Sequence, residues 1–176
     1  HEIVSPEIKT PRDAIRFTNA LSITWPAVAG EVDLGDFIAL EAYRLFRPAI
    51  HQAIRRNQTL LCGAASISMG RPQTTAEQLD ALLLSSVPDP QNYRNGLMRL
   101  FPKLKSIWAN TYGDMGRFVK QRRACVAEFF PTYFRLSLSD DVVPRSEIDA
   151  IISHAGDQEW VRNKLRLSVR ETRRDG

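Results

Sequence analysis

Residues 9–21 read KTPRDAIRFTNAL, and the way this stretch begins a helix sets the reading of the whole chain. Thr10 is suited to the N-cap: its hydroxyl can accept a hydrogen bond from a backbone N–H that a helix start leaves unpaired. Pro11 suits the first helical position, where its missing N–H costs nothing and its fixed φ is already helical. The spacing predicts a helix over 11–25, closed by Pro26 and Gly30. At about 100° per residue, Ala14, Phe17, Thr18, Leu21 and Trp25 fall on one side. Arg12, Arg16, Asn19 and Ile23 gather opposite them, within about 60° of one another. The helix therefore carries a core stripe and a separate stripe with two guanidinium groups and an amide.

Arg12 is oddly placed, because the positive end of the helix dipole repels a cation in the first turn. A bound anion would relieve that repulsion. Unpaired backbone N–H groups at a helix start and guanidinium forks both suit phosphate oxygens. Arg12 and Arg16 are therefore candidate phosphate contacts, with nucleotide and nucleic acid both open. The plain alternative is a solvated polar face.

A second helix is predicted from Asp33 onward, with Leu34, Phe37, Ile38, Ala42 and Leu45 on its apolar face. Glu41 lies within that face. An unpaired buried carboxylate would cost several kcal/mol or take up a proton. A basic partner from the first helix, Arg16 before any other, is the economical solution. The competing reading leaves Glu41 at the edge of the face, in water.

Further helices are predicted over 48–56, after the capping box read at Thr74 to Glu77, over 91–101 and about 103–109, over 115–127, and over 144–154 and 158–170. Residues 57–73 hold Asn57, Gly63, Gly70 and Pro72 and read as a loop. YFRLSL at 133–138 alternates weakly and is the best strand candidate. The expected fold is mainly α: an irregular multi-helix bundle with at most one short strand or hairpin near 133–138. Two regions are expected, a helical body over 1–156 and a basic helix or tail over 157–176.

Composition narrows the function. The chain has 176 residues, 43% hydrophobic and 25% charged, within the globular range. No apolar run reaches the ~18 residues of a membrane span. No apolar core follows the N-terminus, so no secretory leader is expected. The chain does not begin with Met and is read as part of a longer protein. Two cysteines, Cys62 and Cys125, make no disulfide framework and suggest a reducing compartment. His1, His51 and His154 stand at no zinc-ligand spacing, and no metal site is expected. The net charge is +4. Residues 160–174 concentrate it: Arg162, Lys164, Arg166, Arg170, Arg173 and Arg174 stand against one Glu. They are candidates for binding a polyanion such as nucleic acid. A solvated helix face is the simpler account.

The segments TPRDAIRFTNAL at 10–21, EVDLGDFIALEAYRLFRPAI at 31–50 and YFRLSLSDDVVPRSEIDAII at 133–152 together resemble the C-terminal helical part of the KAP family of P-loop NTPases. The three occur in the family's order and cover about a third of the chain; residues 57–130 are not anchored by it. The resemblance implies a helical lid or regulatory region that follows a nucleotide-binding core. That family includes bacterial phage-exclusion proteins, and many members associate with the inner face of a membrane. It implies a cytoplasmic location, with ATP and Mg bound only in the parent protein. Arg12, then Arg16, would resemble sensor arginines reaching phosphates held upstream. The expected partners are the P-loop core of the same polypeptide and a protein partner or second copy.

This chain has neither a G-x-x-x-x-G-K-[ST] loop nor a plausible Walker B strand. Alone it should not hydrolyse a nucleotide. The other reading is a stand-alone helical module that binds nucleic acid or another polyanion. An independent enzyme is the weakest reading, because no nucleophile–base pair stands out.

Overall fold

The computed structural model describes residues 3–63, 74–109, 116–135 and 145–172. The fold is mainly α, and no strand occurs among the described residues. The chain divides into two compact units, residues 1–136 and 137–176.

The first unit is built around α2 (Leu34–Phe46). Asp33 caps it by accepting from the Asp36 N–H at 2.9 Å. Asp36, Phe37 and the whole run from Ala39 to Tyr43 are buried, so this helix is covered on most sides, as a central helix must be. α1 (Pro11–Thr24) and α3 (Pro48–Arg56) pack against it, α4 (Gln58–Leu61) and α5 (Ala76–Leu83) pack on α3, and α6 (Pro90–Leu100), α7 (Lys105–Trp108) and α8 (Gly116–Lys120) complete the unit. Pro48 restarts the chain as α3, whose Ile50 and Ile54 are fully buried on one face. Leu61, Leu79, Leu83, Leu97, Leu100, Phe101 and Leu104 complete the centre.

Several expectations shift here. Residues 57–63 are not all loop: α4 buries Leu61 completely, and Lys103 Nζ donates to the Thr59 and Cys62 carbonyls at its C-terminal end. Residues 64–73 lie outside the described residues. The capping box is one residue later than read. Thr75 accepts from the Gln78 N–H at 3.3 Å, and the Gln78 side chain accepts from the Thr75 N–H at 3.0 Å. The helix expected over 115–127 ends at Lys120. The Asp36 carboxylate draws the Ala124 N–H to itself at 2.9 Å and Arg123 Nε at 2.6 Å, so that N–H is spent on a tertiary bond. Arg122 next to it takes a left-handed backbone, φ 53°.

The strand expected from 133 is also corrected. Phe130–Phe134 is a 3₁₀ helix. Phe130 and Tyr133 are both buried, a period of three and not two. Tyr133 is held there by its hydroxyl, which donates to the Arg122 carbonyl at 2.7 Å and accepts from the Asp33 N–H at 2.9 Å. The remaining positions of that expectation, 136–138, lie outside the described residues.

The second unit contains α9 (Arg145–Ser153) and α10 (Gln158–Thr172). In this division α9 and α10 belong to the same compact unit. The His154 and Trp160 rings stack with centroids 4.3 Å apart and planes 15° apart, tying the end of α9 to the start of α10. Asp157 accepts from the Trp160 N–H at 3.0 Å and caps α10. Among the described residues, no helix is long and apolar enough to cross a membrane.

Candidate functional site

Helix α1 starts as the sequence indicates. Thr10 accepts from the Asp13 N–H at 3.2 Å, and Asp13 Oδ2 accepts from the Thr10 and Lys9 N–H groups at 2.9 and 3.2 Å. The Thr10 hydroxyl also donates to Asp13 Oδ2 at 2.8 Å, the main cause that holds this carboxyl below its usual range. Asp13 thus places an anion of the chain's own at the positive end of the dipole. It also claims N–H groups that an outside phosphate would have used. No backbone cradle is formed here, and any contact with a phosphate falls to the Arg12 side chain.

Of the residues predicted to face the core, Phe17 is buried and Leu21 and Trp25 pack against the core, but Thr18 is exposed. Arg12, Arg16, Asn19 and Ile23 are all exposed on one face. Ile15 belongs to that face as well, and the stripe drawn from the sequence missed it. On the helical projection Ile15 lies about 60° from Arg12, which was the available signal. Ile15 is 62% exposed and Ile23 is 77% exposed. Both are large apolar side chains on a helix that has its own core stripe. Arg12 makes no hydrogen bond or ion pair among the described residues. The α1 face therefore combines two exposed isoleucines, a free guanidinium and an amide.

Glu41 is buried at 5% exposure, but Arg16 is not its partner. Its carboxylate takes a fork from Arg44 in the same helix, with Nε to Oε2 at 2.7 Å and Nη2 to Oε1 at 2.5 Å. Arg44 sits one turn away on the same helix, so it reaches Glu41 without crossing between elements. Helix α1 still touches the pair, through the Thr24 hydroxyl at 3.4 Å from Oε1. Arg16 makes no ion pair among the described residues. Its guanidinium lies over the Phe46 ring, 5.8 Å from the centroid.

The basic segment is seen in part. Arg162 and Arg166 are exposed one turn apart on α10, and Lys164 is half-buried. Arg170 lies within α10, with its side chain outside the described residues, as are Arg173 and Arg174 entirely. Among the described residues no three His, Cys, Asp or Glu side chains gather as a metal site. Cys62 and Cys125 are buried, which pushes their thiols up to about 12 and about 11. Neither is poised as a nucleophile at neutral pH.

No protein-family model matches the chain, and no curated protein or solved structure matches it significantly.

Proposed function

We propose that this chain is the non-catalytic C-terminal helical region of a larger KAP-type P-loop ATPase. It acts as a lid that couples nucleotide state to a partner surface, in a protein of bacterial phage defence at the cytoplasmic side of a membrane. The single observation that carries the reading is the exposed face of α1, with Ile15 and Ile23 open and Arg12 without a partner among the described residues. Apolar side chains beside a free guanidinium suit a surface that closes over a charged site. The resemblance of residues 10–21, 31–50 and 133–152 supplies the occupant: the nucleotide-binding core of the same polypeptide. In this reading ATP and Mg belong to that core, and Arg12 brings positive charge to the transferring phosphoryl group. Arg16, already over Phe46, is the second choice.

The test uses the full-length gene product. Arg12→Ala should lower kcat for ATP hydrolysis about 10-fold or more, with helix content and Tm unchanged, because it removes charge stabilisation from the transition state. Unchanged turnover in the folded variant would assign Arg12 to the surface alone and remove the reading's support.

A second reading rests on Arg162 and Arg166, exposed one turn apart on α10. They suit a polyanion, nucleic acid included. Binding of that kind would weaken steeply with salt, since it releases condensed counterions.

A further inference from the structure

The segment that leads into α1 folds over α2 and α6. Ile3 is buried where α6 carries Gly96. A Cβ at Gly96 would stand 2.7 Å from Ile3 Cγ1 and 3.1 Å from the Tyr43 hydroxyl. Glycine weakens a helix interior, and this close approach is the physical reason for it here. Glu7 follows, buried beneath the same segment. Its Oε1 accepts from Arg47 Nε at 3.0 Å and from the Tyr93 hydroxyl at 3.1 Å. The Arg47 guanidinium lies over the Tyr93 ring, 5.6 Å from its centroid. These groups wall a cleft of about 530 Å³, with the exposed Lys9 at its mouth.

Two groups on the wall are unspent. Both bonds to Glu7 fall on Oε1, so Oε2 accepts none among the described residues. Tyr43 is 1% exposed, lines the cleft, and its hydroxyl makes no hydrogen bond among the described residues. Burial, with Tyr93 and Glu7 close by, pushes this phenol well above its ordinary range, so it stays neutral and can donate. Neither oxygen is sealed off, since Trp108 Nε1 is the one fully buried side-chain N or O without a hydrogen bond among the described residues; both residues line the cleft, and their open oxygens can pair with a partner from outside. The deep wall offers a carboxylate oxygen and a hydroxyl. The mouth offers the Lys9 ammonium and the terminal nitrogens of Arg47. Two cations against one carboxylate leave the cleft with one net positive charge.

We propose that this cleft binds a small organic anion that also carries an amine or hydroxyl donor, as an amino acid or a sugar phosphate does. The donor bonds Glu7 Oε2 and the anion lies on Lys9 and Arg47, with the Tyr43 hydroxyl completing its shell. Glu7 has two uses: it accepts from the ligand and it fixes the Arg47 fork. The size suits a ligand of this class, since small-molecule sites run from about 300 to 1,000 Å³.

The test titrates the whole chain and follows the backbone amides of Tyr43 and Gly96 by NMR. Serine and glutamate form one arm, and ribose 5-phosphate and glucose 6-phosphate the other. Acetate, inorganic phosphate and glycerol each carry only one of the two functions. The expected result is a saturable shift from one arm and none from the single-function probes. Tyr43→Phe keeps the ring and its packing, and should weaken binding about 10-fold, the worth of one buried hydrogen bond. Lys9→Ala, at the exposed mouth, should weaken it as well. No saturable shift in either arm would overturn the proposal. So would equal responses to acetate or phosphate, or unaltered binding by Tyr43→Phe.

Discussion

Glu41 shows how a single residue decides an arrangement. Its side chain is 6% exposed and that of Arg44 is 37% exposed. The carboxylate is therefore the buried member of the pair, and the guanidinium can still reach water. The asymmetry fixes the sign of a mutational test. Arg44→Ala strands a buried carboxylate and should cost about 2–4 kcal/mol, somewhat less than the roughly 3–5 kcal/mol of a fully buried pair because Arg44 is itself partly exposed. Glu41→Gln leaves an arginine that can turn to solvent, and should cost about 1 kcal/mol. Urea unfolding of the chain measures both. Equal costs, or a larger cost for Glu41→Gln, would contradict the assignment. Burial of Glu41 was legible from its place on an apolar helix face. Its partner was not, because a residue three positions on competes with any residue of a neighbouring helix and starts closer.

At the scale of elements, the helices with strong local signals were legible and the irregular run after α8 was not. Thr10–Pro11, Asp33 and Pro48 mark their helix starts with local chemistry, and the structure follows them. The end of α8 is set instead by Asp36, 88 residues away from the Ala124 N–H it takes. No local pattern carries that information. The same holds for Phe130–Phe134, where the burial of Tyr133 depends on Asp33 and Arg122. In the candidate site, the Arg12 face was legible from helical period, whereas the Glu7–Arg47–Tyr93 cleft joins segments dozens of residues apart.

His51 gives a prediction at this scale, because it joins α3 to that 3₁₀ turn. Its ring lies 5.2 Å from the Phe134 ring. Burial, reinforced by Arg44 and Arg55 and partly opposed by Glu41, lowers its pKa from 6.5 to about 4. The folded state therefore resists protonation where the unfolded chain accepts it. The stabilising contribution is fully present above the unfolded value and is lost as pH falls toward about 4. After discounting for partial solvent exposure, the loss should be roughly 1–2 kcal/mol. His51→Gln should flatten that part of the stability–pH curve, read from urea midpoints at pH 7, 5.5 and 4.5. A variant curve parallel to the unaltered one would reject the assignment. Asp36 works in the other direction: burial, only partly countered by Arg123, raises its carboxyl, so acid relieves a cost there.

At the scale of the whole molecule, five ion pairs among the described residues each use an arginine: Arg44, Arg47, Arg94, Arg122 and Arg123. They join acidic side chains that are buried or partly buried within the first unit. Arg12 stands apart from this scheme, on a face where Ile15 and Ile23 are open. A surface of that composition is what a closing lid would present. The most direct measurement of the central claim is hydroxyl-radical footprinting of Ile15 and Ile23, comparing the chain alone with the full-length gene product with and without ATP. The account predicts fast modification of both in the chain alone and at least several-fold protection in the full-length protein when ATP is bound. Equal modification in all three states would contradict it.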